Sequence, residues 1–277
     1  MKFSKWQGIG NDFVIVNGFE EKIADYASKA IAVCDRHFGI GADGLVIALP
    51  SAIADFRMRI FNSDGSEAEM CGNATRCFAQ YLYEAGLTQK TELVIETLAG
   101  IVRPQLLFKN GKVSAVCVDI GEPLLQRGLI PMTGDPEAKA INELLKEGTK
   151  SYHVNGINVG TPHCVIFMEE VIDLDLKAVG QPIELHAMFP RKTNVEFVKV
   201  IDRKTLRMRV WERGAGITLA CGTGSCASVV AAVLNGKTDR TVTVHLDGGD
   251  LLIEWGEDNH LYKTGPAVEA FRGDYLG

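Results

Sequence analysis

Two cysteines lie in matching surroundings 150 residues apart, as the numbers 71 and 221 show. Cys71 opens the run Cys-Gly-Asn-Ala-Thr, and Cys221 opens Cys-Gly-Thr-Gly-Ser. The strand-like stretches before them begin at residues 58 and 208 and keep the same offset. So do the pairs Gly10-Asn11 and Gly160-Thr161. We interpret the chain as an internal duplication that carries one thiol in each half.

Each of these cysteines stands just before a predicted helix, and that position affects the thiol. Unpaired backbone N–H groups and the positive end of the helix dipole favour a thiolate there. The same N–H groups bind an anion such as a carboxylate. Two such helix ends, converging from the two halves, would present two thiols and two anion-binding sites to one small acid.

The reaction that needs a thiol on each face of one carbon is two-base racemisation or epimerisation. One thiolate removes the α-proton, and the other cysteine returns a proton from the opposite side. Helix N–H groups would stabilise the negative charge that develops on the adjacent carboxylate. The cysteine and histidine spacings match no metal-binding pattern, so we expect no metal and no cofactor.

Two other interpretations of the cysteine pair remain open. A cysteine before a buried helix is often only a small core residue, although two at equivalent repeat positions argue against that here. The pair could also form a regulatory disulfide in a redox-sensing protein that is not an enzyme. The other cysteines fall on predicted helix or strand faces and are expected in the core: Cys34, Cys77, Cys117, Cys164 and Cys226.

The composition is that of an ordinary globular protein. The 277 residues are 46% hydrophobic and 23% charged, with a net charge of −6. A mildly acidic chain without a Lys/Arg-rich run is not expected to bind nucleic acid. We see no signal-peptide pattern and no apolar run long enough for a membrane, and therefore expect a cytoplasmic protein with reduced thiols. A homodimer is the default expectation for its assembly.

The hydrophobic pattern predicts an α+β fold in two halves. We expect helices at 24–36, 73–84, near 174–179 and at 222–234. Strands are expected at 13–16, 45–48, 56–61, 93–96, 101–107, 113–118, 164–167, 195–200, 206–211, 241–246 and 251–255. A proline-rich segment at 123–150 is the natural boundary. The predicted domains are 1–121, with 264–277 returning to it, and 122–263.

The chain contains the motifs Gly8-Ile9-Gly10-Asn11-Asp12-Phe13, Phe61-Asn62-Ser63-Asp64-Gly65-Ser66, Cys71-Gly72-Asn73, Pro162-His163, Glu212-Arg213-Gly214-Ala215-Gly216 and Cys221-Gly222-Thr223-Gly224. With this combination of motifs it resembles the diaminopimelate epimerase family over nearly its full length. The resemblance implies two pseudo-symmetric halves, each with strands wrapped around a central helix, and an active site between them. It implies a cofactor-independent enzyme that interconverts LL- and meso-2,6-diaminopimelate during the synthesis of lysine and cell-wall precursors.

The resemblance also implies roles for individual residues. Cys71 and Cys221 would be the two acid–base thiols, with His163 and Glu212 tuning their protonation. The α-carboxylate would bind to Gly72-Asn73 and Gly222-Thr223. The amino groups and the distal carboxylate would be held by Asn11, Asn62, Asn194, Glu212 and Arg213, the last of which can bind a carboxylate bidentately.

Three positions depart from the family pattern. Many relatives have an asparagine where this chain has Thr161, some have a glutamine at Gly44, and Ala74 stands where glycine is usual. Thr161 is shorter and cannot donate an amide N–H, so one contact to the distal part of the substrate is weakened or replaced, and Gly44 removes another side-chain contact. A racemase of another amino acid, such as histidine or glutamate, with the same two thiols is therefore the alternative function.

Overall fold

The computed structural model describes all residues, Met1–Gly277, as two compact units. The first unit comprises Met1–Asp119 together with Thr264–Gly277, and the second comprises Ile120–Lys263. Both units combine mainly antiparallel sheet with a few helices, which confirms the predicted α+β class. None of the helices has the length and apolar character that crossing a membrane requires.

The first unit is built on an eight-stranded sheet with the strand order β19-β1-β2-β3-β4-β6-β7, and β5 pairs with β4. Strands β8 and β9 form an antiparallel hairpin in the same unit. Its elements, up to residue 119, are β1 (Lys2–Gly8), β2 (Asn11–Asn17), α1 (Tyr26–Cys34), β3 (Gly44–Leu49), β4 (Phe56–Asn62), β5 (Glu67–Ala68), α2 (Gly72–Glu84), β6 (Ile95–Thr97), β7 (Gly100–Val102), β8 (Pro104–Lys109) and β9 (Lys112–Asp119).

The second unit carries a sheet in which the strands follow the order β10-β11-β12-β13-β14-β16-β17-β18, and β15 pairs with β14. Its elements are β10 (Glu143–Glu147), β11 (Lys150–Asn158), β12 (Pro162–Phe167), α3 (Leu176–Glu184), β13 (Asn194–Asp202), β14 (Thr205–Glu212), β15 (Gly216–Ile217), α4 (Gly222–Leu234), β16 (Thr241–His245), β17 (Asp250–Trp255) and β18 (Leu261–Gly265). The last strand, β19 (Val268–Asp274), pairs with β1 of the first unit in antiparallel register.

A nearly fully buried helix forms the centre of each unit. In α2 the residues 73–82 are all buried, and the helix contacts β1, β2, β8 and β9. In α4 the residues 224–232 are all buried, and the helix contacts β11, β12, β13 and β17. A helix that is buried all round must be covered by its own sheet on several sides. The expected wrapping of strands around a central helix is therefore confirmed.

The duplication predicted from the cysteines extends to the secondary structure. The helix α1 spans 26–34 and α3 spans 176–184, while α2 spans 72–84 and α4 spans 222–234. Both pairs keep the offset of 150 residues. Each central helix also begins after an N-cap cysteine and ends before a glycine with a left-handed backbone, Gly86 at φ +73° and Gly236 at φ +68°.

Some predicted elements differ from the observed ones. The single strand expected at 101–107 is divided into β7 and β8, and the helix expected near 174–179 extends from 176 to 184. The strands β10, β11, β18 and β19 were not predicted. Among the five expected core cysteines, Cys117 is only half-buried, whereas the other four are buried.

The two glycines that end the central helices give a stability prediction. A Cβ at Gly86 or Gly236 would meet no atom within 4 Å, so the effect of alanine comes from the left-handed backbone alone. We expect Gly86→Ala and Gly236→Ala each to reduce the free energy of unfolding by about 1 kcal/mol. Denaturant midpoints measure this effect. Gly273→Ala is the control, because Gly273 has an ordinary φ and its Cβ would only touch the Phe3 ring; equal losses in all three variants would contradict the argument.

Candidate functional site

Cys71 lies at the N-cap of α2 and is half-buried. Its backbone is extended, with φ −142° and ψ 115°, and its side chain makes no capping hydrogen bond. The thiol Sγ stands 3.7 Å from Oδ1 of Asn11, to which it can donate. The first-turn N–H groups of α2 are thus left without a side-chain acceptor from the cap residue, as an anion-binding helix end requires.

A chain of amides orients Asn11 beside Cys71. Nη1 of Arg76 donates to Oδ1 of Asn73 at 2.9 Å, and Nδ2 of Asn73 donates to Oδ1 of Asn11 at 3.3 Å. Nδ2 of Asn11 in turn donates to Asp43 at 2.5 Å. Because the guanidinium only donates and the carboxylate only accepts, both amides can face only one way. The acceptor oxygen of Asn11 therefore points at the Cys71 thiol.

Charged groups anchor this amide chain at both ends. The Arg76 side chain is fully buried, and burial lowers its pKa from the ordinary value. At the other end, Arg36 pairs with both Asp43 and Asp12. Burial opposes the ionisation of Asp12, but hydrogen bonds from Arg36 and Lys5 outweigh it and lower the pKa of Asp12 to about 2. Asp12 is therefore a carboxylate at any neutral pH.

Asn62 lies apart from this chain, in the turn after β4. Its Nδ2 donates to Oγ of Ser66 at 2.9 Å, and its side chain is exposed. In the sheet it is the register partner of Gly44. The side chain of Asn62 is therefore accessible, but within its own unit it supports a turn.

Cys221 occupies the equivalent N-cap of α4 in a different environment. It is buried, with 6% of its surface exposed. Its Sγ accepts a hydrogen bond from the backbone N–H of Gly224 at 3.4 Å and lies 3.6 Å from Oγ1 of Thr223. Burial raises the pKa of the Cys221 thiol well above its ordinary value, and the nearby carboxylates of Glu212 and Glu196 raise it further.

His163 and Glu196 form a fully buried pair beside Cys221. Nδ1 of His163 stands 2.6 Å from Oε1 of Glu196, and neither side chain is exposed. The other ring nitrogen, Nε2, stands 3.0 Å from Oγ1 of Thr161. The polar atoms of His163, Glu196 and Cys221 lie within 4.8 Å of one another. His163 was predicted from the sequence to belong to the site, and Glu196 was not.

The sequence contained one signal for Glu196. It follows Asn194-Val195 and precedes Phe197-Val198, so a carboxylate interrupts a run of residues that are all buried in β13. A charged residue within a buried strand is rare unless it is paired or used chemically.

The three polar side chains beside α4 are of the types that bind a transition metal. However, two ligands of one tetrahedral zinc ion stand about 3.3 Å apart, given a zinc–ligand bond of about 2.0 Å. The 2.6 Å between His163 and Glu196 is shorter and is a hydrogen-bond distance. The cluster is therefore arranged as a hydrogen-bonded pair next to a thiol rather than as a preformed metal cage.

Glu212 is a further neighbour of Cys221, and Asn194 holds the loop that follows Glu212. Burial raises the pKa of Glu212, and Oγ1 of Thr218 donates a hydrogen bond to its Oε1. The amide of Asn194 donates to the carbonyl of Pro162 at 2.9 Å and accepts the backbone N–H of Arg213 at 2.9 Å. Asn194 thus fixes the loop after β14, where Arg213 is exposed and donates only one long hydrogen bond, 3.3 Å, to a backbone carbonyl.

The sequence of this chain is similar to those of known diaminopimelate epimerases. The diaminopimelate epimerase family matches residues 3–125 and 156–269. Diaminopimelate epimerases of Pelotomaculum thermopropionicum and Moorella thermoacetica are each 54% identical to this chain, and the matches cover 99% of this chain and of each relative.

Solved structures show the same fold at low sequence identity. A Bacillus anthracis phenazine biosynthesis protein of the PhzF family has a TM-score of 0.69 at 17% identity and covers 100% of this chain and 99% of its own. A probable proline racemase from Agrobacterium radiobacter has a TM-score of 0.68 at 14% identity and covers 99% of this chain and 92% of its own. The full-length identity to the curated relatives and the family match together show that this chain belongs to the diaminopimelate epimerase family and is an isomerase.

Proposed function

We propose that this protein interconverts LL- and meso-2,6-diaminopimelate by proton transfer through Cys71 and Cys221. The observation that carries the proposal is the pair of N-cap cysteines at equivalent positions of two buried helices. It is found in a chain that is 54% identical to proteins named diaminopimelate epimerase. The reaction contributes to the synthesis of lysine and of cell-wall precursors. A homodimer and a cytoplasmic location remain our predictions.

The mechanism uses the two helix ends to bind the reacting carboxylate. Backbone N–H groups of Gly72-Asn73 and Gly222-Thr223 belong to the first turns of α2 and α4. They donate to the α-carboxylate and stabilise the charge that moves onto it when the α-proton leaves. One cysteine, as thiolate, takes the α-proton and becomes a thiol. The other, as thiol, gives its proton to the opposite face of the carbon and becomes a thiolate.

The two half-sites prepare their thiols in different ways. Burial and two carboxylates favour the protonated form of Cys221, which suits it to give a proton. His163 and Glu212 stand beside it and tune this balance. Cys71 is more accessible and faces the oxygen of Asn11. Each thiol must serve as acid in one direction of the reaction and as base in the other, because the reaction is reversible.

The distal end of the substrate is assigned to Asn11, Asn62, Asn194, Glu212 and Arg213. Arg213 supports this assignment most strongly, because its guanidinium is exposed and only weakly engaged. A bidentate contact with the distal carboxylate would satisfy it. Both polar ends of the Asn194 amide hold backbone groups, one of them the N–H of Arg213, so we assign Asn194 the role of positioning Arg213.

A racemase of a different amino acid is the second candidate. It is favoured by Thr161, whose hydroxyl stands at hydrogen-bond distance from His163. A residue engaged in this way is less available to a distal amino group. Gly44 also favours this candidate. A Cβ there would stand 2.9 Å from the carbonyl oxygen of Phe61, so this position has no room for a side chain that could contact the distal part of the substrate.

The first test of the two-thiol mechanism is solvent-deuterium incorporation at the α-carbon of LL-diaminopimelate, in reducing buffer without added cofactor. We expect the wild-type protein to incorporate label and to invert the configuration at the α-carbon. Cys71→Ala and Cys221→Ala should each invert it at least about 10³-fold more slowly, because each variant has lost one acid–base group. Cys117→Ala, a half-buried thiol elsewhere, is the control.

The other outcomes separate the alternatives. Label uptake from another amino acid but not from diaminopimelate would keep the mechanism and change the substrate. No uptake from any amino acid, with a disulfide between Cys71 and Cys221 on oxidation, would favour the thiol switch.

A second test concerns the charge of Glu212. Alkylating reagents react with the thiolate form of a cysteine, so a curve of alkylation rate against pH reports the pKa of the thiol. Removing a neighbouring negative charge lowers the pKa of Cys221, and its alkylation curve should move to lower pH. We expect Glu212→Gln to raise the alkylation rate at about pH 8 by about 3- to 10-fold, measured by mass spectrometry of the Cys221 peptide. Glu143→Gln, which loses an ion pair with Arg127, should leave the curve unchanged. An unchanged curve in Glu212→Gln would remove Glu212 from the tuning role.

A third test addresses the distal carboxylate. Arg213→Met removes a charge-assisted contact worth about 1.5–3 kcal/mol, and we expect kcat/KM for diaminopimelate to fall about 10- to 100-fold. Racemisation of an amino acid with an apolar side chain, where detectable, should not fall. Arg203→Met is the matched control, because Arg203 is exposed in the same unit and pairs with Asp239. An equal loss of kcat/KM on both kinds of substrate would mean that Arg213 does not bind the distal carboxylate.

A further inference from the structure

Glu196 is a charged side chain in a place where stability alone does not explain it. It is fully buried in β13 between Val195 and Phe197. Its Oε1 meets His163, but its Oε2 is buried without a hydrogen-bond partner. A buried carboxylate that is only half satisfied is destabilising relative to an apolar residue of similar size. A role at the neighbouring thiol would account for its presence.

The contacts of His163 define what Glu196 does. A carboxylate accepts hydrogen bonds and does not donate them, so the 2.6 Å contact places the hydrogen on Nδ1 of the ring. Nε2 is then the only ring atom that can gain or lose a proton. It faces the hydroxyl of Thr161 at 3.0 Å. A hydroxyl can donate to a neutral ring or accept from a protonated one by rotating, so Thr161 suits both states.

The first turn of α4 is shaped around the carboxylate. An ideal Cβ on Gly224 would stand 2.6 Å from Oε1 of Glu196 and 3.2 Å from Sγ of Cys221. Glu196 and Cys221 therefore share the N-terminal end of the same helix, where the helix dipole favours negative charge.

We propose that Glu196 is a positioning residue of the Cys221 half-site, which holds His163 beside the thiol in the tautomer with hydrogen on Nδ1. The inference rests on the proposed epimerase function. When Cys221 gives its proton to the substrate carbon, the thiolate is left among two carboxylates, Glu196 and Glu212. A His163 that already carries a proton on Nε2, while its Nδ1–H stays with Glu196, supplies the compensating positive charge, and no proton moves to the ring in this step.

Two substitutions separate the charge of Glu196 from its acceptor role. Glu196→Gln keeps an oxygen that can accept from Nδ1 but removes the charge. Glu196→Met has a similar length and removes both. Glu143→Gln is the control for the loss of a glutamate charge in the same unit. Circular dichroism and unfolding midpoints show which variants are folded.

The direct readout is the tautomer of His163, observed by NMR of the ¹⁵N-labelled ring and assigned by the signal lost in His163→Gln. We expect the Nδ1–H form in wild type, and a mixture of tautomers in Glu196→Met. Cys221 alkylation should move to lower pH in Glu196→Gln, because a neighbouring negative charge is gone. If Glu196 only supported the fold, the tautomer of His163 would be the same in Glu196→Met as in wild type.

The kinetic readout is kcat against KM. Removal of a carboxylate that holds a histidine in its working tautomer costs up to about 10⁴-fold in kcat, and we expect a loss of roughly 10²- to 10⁴-fold in Glu196→Met. KM should change little, because Glu196 is not expected to touch the substrate. The kcat of Glu196→Gln should lie between that of Glu196→Met and that of wild type.

Two results would overturn the inference. One is an Nε2–H tautomer of His163 in wild type; the other is full kcat with an unchanged tautomer in folded Glu196→Met. If wild type does not act on diaminopimelate, the proposed function fails, and the tautomer and alkylation measurements still decide the role of Glu196. If wild type is active but Glu196→Met behaves as wild type, only the role of Glu196 fails.

Discussion

The structure depends on burying a whole helix in each unit, including its N-terminal end. The first N–H groups of a helix have no partner inside it, and a buried end must find acceptors elsewhere. A serine or aspartate cap would supply one, but here both caps are cysteines, and Cys71 makes no capping hydrogen bond at all. Sulfur is a weak acceptor, so much of the donor capacity of both helix ends remains for a ligand. A carboxylate is the ligand that such an end favours.

Buried cations reinforce this preference in both units. Arg76 lies fully buried one turn along α2, with Nη1 3.5 Å from the carbonyl of Gly72. In the second unit, a Cβ on Gly222 would stand only 2.5 Å from Nζ of Lys263, which is also buried. Glycine at 222 therefore leaves room for the ammonium group as well as for the approach of a ligand to the backbone. Each helix end thus combines a dipole with a basic side chain close to its first turn, and both features favour an anion.

The sequence predicted what local patterns determine. The helix after each cysteine was predicted to within one residue, because helical spacing of apolar residues, an N-cap position and a terminal glycine all agree there. Strands β10, β11, β18 and β19 were missed because their partners are distant or their residues alternate weakly; Lys2–Gln7 pairs with Val268–Asp274, for example. Glu196 was missed for a related reason. The role proposed for it depends on a contact with His163, which is 33 residues away in sequence, and the parallel pairing of β12 with β13 brings the two together.

The two duplicated halves have the same backbone arrangement around their cysteines but different chemistry. The difference follows from the side chains that surround each cysteine. Beside Cys71 the polar groups are neutral amides whose directions are fixed by Arg76 and Asp43, so that half-site holds a defined dipole. Beside Cys221 they are ionisable and buried, so that half-site can change its charge. A symmetric pair of thiols would hold the same proton equally well on both sides. The proposed two-base mechanism requires one charged and one neutral thiol before the substrate reacts, and unequal surroundings favour such a state over a symmetric one.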